Sequence, residues 1–124
     1  MSYWLLMAAG LIALASMVFH GVVGGRIYGG NVNRSDMEDL TKSLSLVSWH
    51  VFTIFLLVCG VTLIYVAYEP SLALAIYPLI WINALGAGLF IYLGIRGHAQ
   101  LLRMPGAYLM AATALLAWLA IGQI

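Results

Sequence analysis

The sequence has few charged residues, one cysteine and no local metal-binding motif. Each of these shortages excludes some classes of protein. Its 124 residues include only five Lys or Arg and four Asp or Glu, so nothing suits a nucleic-acid partner. The single cysteine, Cys59, excludes an internal disulfide. No HxxxH, ExxH or CxxC spacing occurs, and the first apolar run lacks the acidic residue expected of a small multidrug exporter. Transport is therefore a weak hypothesis.

Apolar residues are what the sequence has in abundance. They make up 65% of the chain, and the mean hydropathy is +1.05. A soluble domain of this length could not bury so much apolar surface. Four runs, at residues 3–23, 44–68, 72–95 and 106–121, can cross about 30 Å of hydrocarbon at about 1.5 Å per residue. We predict an all-α integral membrane protein with one domain over residues 1–124, an up-down bundle of four transmembrane helices.

The first connection predicts a loop followed by an early helix start. The stretch "GGRIYGGNVNRS" is glycine-rich and aperiodic, which indicates flexible chain. Ser35 and Glu38 then have the spacing of a capping box, so the second helix should begin near Asp36. A helix from there to Tyr68 would be roughly 50 Å long and would extend beyond the bilayer on the cytoplasmic side.

Prolines and a serine predict the limits of the later helices. Ser71 has the character of an N-cap for the third helix, and Pro105 suits the first turn of the fourth. Pro78 lies within the third apolar run, where it should kink the helix.

The distribution of basic residues predicts the orientation. All five lie in the first and third connections, at Arg26, Arg34, Lys42, Arg96 and Arg103. Positively charged connections stay in the cytoplasm, which places both termini outside it. We expect an integral protein of a bacterial inner membrane.

Three histidines lie in or beside the apolar runs, where ionisable side chains usually mark a functional site. His20 is near the end of the first run, His50 is early in the second, and His98 follows the third. An up-down bundle brings all three to the cytoplasmic side, because the first and third helices end there and the second begins there.

Small residues share the helix faces of two of these histidines. Ser16 and Gly24 lie one turn from His20, and Gly94 lies one turn from His98. Small residues allow transmembrane helices to approach closely, so both histidines should face inward or toward another subunit.

The rotation of the second helix leaves two interpretations for His50. Its face includes Thr53, Leu57 and Gly60, which favours an inward orientation. The neighbouring Trp49 could instead be an interfacial anchor that sets the rotation of the helix.

Two cofactors fit a histidine cluster at this depth. A b-type haem would be ligated by His20 and His50, with Arg26 and Arg96 beside its propionates. A copper, zinc or iron ion would use His20, His50 and His98. Electron transport, sensing and oxidation are the roles open to such a site, and the residues do not decide whether the protein is an enzyme.

The alternative is an accessory subunit in which the histidines only pack. Such a chain would be a homo-oligomer or part of a larger membrane complex, joined through small-residue faces. The fourth run has a smooth face that would suit a helix–helix or a subunit contact, at Ala111, Ala114, Ala117 and Ala120. Asn83, in the middle of the third run, is expected to bridge helices or to satisfy carbonyls near Pro78.

Overall fold

The structure, a computed structural model, describes all 124 residues and contains helices but no strands. Its α-helices are α1 (Ser2–Val18), α2 (Gly25–Asn33), α3 (Asp39–Tyr68), α4 (Ile76–Ile95) and α5 (Gly106–Ile121). Three helical stretches are long and apolar enough to cross a membrane: Ser2–Asn33, Asp39–Tyr68 and Pro70–Ile95. The all-helical class is thus confirmed. The fourth predicted run forms α5, whose 16 residues span only about 24 Å.

The glycine-rich stretch predicted as flexible chain is helical instead. α1 continues through a π-helical segment, Phe19–Gly24, directly into α2. The residues at both junctions keep right-handed helical backbone angles. Glycine costs a helix about 1 kcal/mol relative to alanine. Here tertiary packing overrides that preference, since Gly25 and Gly29 lie against side chains of α3.

The start of α3 also differs from the prediction. The helix begins at Asp39, with Glu38 as its N-cap residue, and the expected capping box does not form. The Ser35 hydroxyl donates to the Val32 carbonyl oxygen at 2.6 Å, so it closes the end of α2 rather than opening α3. With 30 residues α3 is about 45 Å long, more than the hydrocarbon core needs.

The approach to α4 corrects two further predictions. Residues Pro70–Ala75 form a 3₁₀-helix, and the α-helix starts only at Ile76. Pro78 therefore lies in the first turn of α4, just after the 3₁₀-helix, rather than in the middle of the α-helix. The Ser71 hydroxyl donates to the Glu69 carboxylate at 2.5 Å and caps nothing. Pro105 directly precedes α5 as its N-cap residue, close to the expected position.

The helices pack as antiparallel neighbours. α1 lies between α3 and α5, and α5 also packs along α4, whereas α3 and α4 have few contacts. Tyr3 donates a hydrogen bond to Tyr68 at one end of the α1–α3 pair. At the opposite end Phe19 and Pro105 line the same surface pocket. We call this second end, which carries the connections at residues 34–38 and 96–105, the polar end.

The core consists mainly of small and branched apolar side chains from α1, α3, α4 and α5. Ala114, Ala117 and Ala120 belong to it and are at most 7% exposed. The alanine face predicted for a helix–helix or subunit contact thus packs largely against other helices of the same chain, and only Ala111 of that set is exposed.

Candidate functional site

His20 is the histidine that the fold draws into a helix interface. Its Nδ1 lies 2.9 Å from the Thr53 hydroxyl oxygen, at hydrogen-bond distance. Its backbone carbonyl oxygen accepts a bond from the Trp49 indole N–H at 3.1 Å. Both partners belong to α3, one helical turn apart. The side chain and the backbone of one residue therefore tie the first helix to α3.

Three aromatic rings stack at the same place. The His20 ring lies 4.1 Å from the Trp49 ring at an angle of 12° between planes, and Tyr28 lies 4.2 Å from Trp49 at 13°. Phe52 meets the His20 ring edge-on at 5.1 Å and 70°. Aromatic pairs of this kind stabilise by about 0.5–1.5 kcal/mol beyond their burial. The stack therefore holds α3 against both the π-helical segment and α2.

Two glycines in the π-helical segment leave room for these side chains. A Cβ added at Gly24 would lie 2.8 Å from Cζ2 of Trp49, and one at Gly21 would lie 2.8 Å from Cγ2 of Thr53. Single π-helical turns within α-helices are rare and occur often at functional sites. Here the π segment contains His20 itself, whose carbonyl oxygen receives the indole bond.

His50 lies close by but outside this interface. It is exposed, and its Cε1 would be 3.4 Å from a Cβ added at Gly25. No protein group forms a hydrogen bond with its ring. The inward face of α3 carries Trp49, Thr53 and Gly60, so two residues of the face assigned to His50 lie inward while His50 itself is exposed. The Trp49 indole contacts the neighbouring helix through its bond to the His20 carbonyl oxygen.

His20 and His50 therefore lie on two sides of the same helix seam. His20 contacts Phe52, whereas His50 lies beside Gly25. Residues 50 and 52 are separated by about 200° around α3, with the row through Trp49 between them. Thr53, which holds Nδ1 of His20, lies one turn from His50 on α3, so the two histidines are neighbours at this end of the bundle.

The remaining predicted site residues are at the surface. His98 is exposed in the turn after α4, and its backbone N–H donates to the Leu93 carbonyl oxygen at 3.0 Å. Arg26 and Arg96 are also exposed. No three or more His, Cys, Asp or Glu side chains come together in a way that could hold a metal ion. The structure thus brings His20 and His50 to neighbouring helices without assembling the three imidazoles.

Asn83 forms a second buried polar contact, between α3 and α4. It is 1% exposed, and its amide N–H groups donate to the Leu79 carbonyl oxygen at 2.9 Å and the Cys59 sulfur at 3.4 Å. This is the helix-bridging role expected from the sequence. It also gives the lone cysteine, fully buried, a polar partner.

Comparisons of the chain with protein-family models, with curated proteins and with solved structures give no match. The function must therefore be argued from the chain's own residues.

One atom of the site, Nε2 of His20, is available to bind a ligand or accept a proton. Thr53 engages Nδ1 of His20, while no protein group bonds Nε2. A histidine with one nitrogen fixed by a hydrogen bond presents the other as a ligand or proton acceptor. The sequence pointed to His20 but not to Trp49 and Thr53 as its partners, nor to Tyr28, which stacks on Trp49. Gly21 and Gly24 were the available signal, because they lie where α3 comes close.

Proposed function

We propose that this protein is a membrane subunit without a reaction of its own, which acts by packing against another membrane chain. The observation that carries this proposal is the environment of His20. Its ring stacks on Trp49, meets Phe52 and bonds Thr53, all within the chain. These contacts give the His20 side chain a role in helix packing. A histidine site shared with a cofactor would not need them.

The proposal includes a four-crossing topology with the polar end in the cytoplasm. Every Lys and Arg lies in or near the connections of that end, which supports this orientation. α5 would cross as a short helix with help from its flanking residues or from local thinning of the bilayer. A C-terminal reporter enzyme that is active only outside the cytoplasm should be active when fused to this chain. Activity of a cytoplasm-specific reporter at the same position would contradict the topology.

A second candidate function is cofactor binding for electron transfer, sensing or oxidation. The free Nε2 of His20 favours it, and His50 offers a second exposed imidazole at the same end. A b-type haem would take these two ligands, whereas a copper, zinc or iron ion would add His98. Either group would join His20 and His50 at this end of the bundle, with Arg26 and Arg96 available to its anionic groups.

One preparation distinguishes the two functions. The protein is purified in mild detergent from membranes of cells supplied with haem precursor and metals, and its visible spectrum and metal content are measured. The subunit function predicts no Soret band and less than stoichiometric metal. A Soret band, or one metal per chain, that is lost in His20→Ala but kept in Ser16→Ala would replace it with the cofactor function. Ser16 is the matched control because its hydroxyl bonds only the Ile12 carbonyl oxygen of its own helix.

A further inference from the structure

The outer face of α3 carries a regular apolar stripe whose side chains are largely exposed. Its members follow one another at alternating steps of four and three residues, and each is 52% to 69% exposed. This is the spacing of the a and d positions of a heptad repeat. The heptad stripe consists of Leu40, Leu44, Val47, Val51, Ile54, Val58 and Val61.

Toward the polar end the heptad stripe is narrow. Polar residues flank it there on both sides, and all of them are exposed: Thr41, Ser43, Ser48 and His50. The outer face of α4 is different, since Ile82, Leu85, Leu89 and Ile91 make a broad apolar surface typical of contact with lipid. A narrow apolar seam between polar flanks is instead typical of helix–helix contact.

The stripe also extends past the region that lipid tails can cover. About 20 residues cross the hydrocarbon core. If the crossing begins at Tyr68, at the opposite end of α3, these roughly 20 residues end near Trp49. Leu40, Leu44 and Val47 therefore lie at or beyond the bilayer surface, where three half-exposed aliphatic side chains need another cover.

We infer that the heptad stripe binds the same stripe of a second copy of this chain. Copies inserted in one orientation present α3 to each other in parallel, so each layer of the stripe meets its own equivalent across a twofold axis. A strict seven-residue repeat then gives a left-handed crossing of two helices. This deepens the proposed function by naming the packing partner.

The available area is sufficient for such a dimer. The seven side chains together expose on the order of 700 Å², close to the roughly 800 Å² per partner of a specific protein interface. The polar flanks would supply the remainder. Within the hydrocarbon the contact replaces lipid by protein and depends on close packing, whereas at the polar end it also removes apolar surface from water.

Cysteine cross-linking in native membranes tests the inference. Single cysteines are introduced at Val47 and Val51, with Leu85→Cys and Ile27→Cys as controls that are 69% and 63% exposed on other helices. Native Cys59 is fully buried and should not react. We expect mild oxidation to give disulfide-linked dimers at both stripe positions, with at least about fivefold higher yield than at the controls. Equal yields at stripe and control positions would overturn the inference, because random collision would then explain both.

A charge substitution provides a second, independent measurement. Leu44→Glu should convert the detergent-solubilised dimer to monomer, while Ile27→Glu, at the same end but on α2, should leave it dimeric. Circular dichroism establishes that each variant keeps its helices. A wild-type chain that is monomeric at all concentrations and gives no stripe cross-links refutes the second copy as partner. If that chain instead co-purifies with a different membrane protein, the proposed subunit function stands while this inference fails.

Discussion

Replacing Thr53 by valine tests whether His20 is held by the interaction the structure shows. The substitution removes the hydroxyl that lies 2.9 Å from Nδ1 of His20 and keeps the shape of the side chain. It leaves the stacking of His20 on Trp49 in place. The change separates the polar contact of the π-helical segment with α3 from the aromatic packing around it, and it also removes the longer bond of 3.4 Å from the Thr53 hydroxyl to the Trp49 carbonyl oxygen.

The expected loss of folding stability follows from two estimates. Polar contacts between transmembrane helices contribute about 0.6 kcal/mol on average and up to about 1.7 kcal/mol. Leaving a buried polar group without a partner costs about 1–3 kcal/mol. His20 is half-buried, so water can partly replace Thr53. We expect Thr53→Val to lower the free energy of unfolding by about 1 kcal/mol.

Unfolding in mixed detergent micelles, followed by circular dichroism, measures this difference. Thr53→Ser keeps the hydroxyl and should recover at least half of the loss. Thr113→Val is the matched control, because the Thr113 hydroxyl bonds only the Leu109 carbonyl oxygen of its own helix at 2.9 Å. That variant should change stability by less than about 0.5 kcal/mol. Equal effects of Thr53→Val and Thr113→Val would refute the role assigned to Thr53.

Two further predictions concern the α1–α3 contact toward the other end. Gly60→Ala should destabilise the fold by about 1–3 kcal/mol in the same assay, because its Cβ would lie 2.7 Å from Leu14 and 3.0 Å from the Gly10 carbonyl oxygen. An unchanged unfolding curve would mean that the helices do not cross this closely. Tyr68→Phe removes an exposed bond with Tyr3 and should shift stability by less than about 0.5 kcal/mol. A larger shift would indicate that this end is shielded from water.

Apolar run length predicted the helical class because it depends on composition alone. The bounds of the fourth run, 106–121, coincide with those of α5. Helix starts were predicted less well, since capping signals compete with local alternatives. The Ser35 hydroxyl donates to the carbonyl oxygen of Val32, earlier in the chain, and Pro78 lies in the first turn of α4, where proline is tolerated. These outcomes depend on where the preceding segment stops, which the local spacing does not encode.

The candidate site was predictable only in part. Depth arguments placed His20 and His50 at one end because antiparallel topology fixes height along the bundle. They could not fix the rotation of each helix. The π-helical segment adds a wider turn inside the first helix, so the faces counted from regular helical spacing no longer align beyond Phe19.

The rotation of α3 links the candidate site to the heptad stripe. Trp49 fits against Gly24 and stacks on His20, which turns Thr53 inward and directs Val47 and Val51 to the surface. A rotation of about 100° that brought His50 into the seam would withdraw Trp49 and move one edge of the stripe toward α1. The observed orientation exposes the heptad stripe and leaves His50 at the edge of the seam, beside Gly25. Stripe cross-links from a chain that also carries haem or metal at His20 and His50 would show that one chain combines both functions.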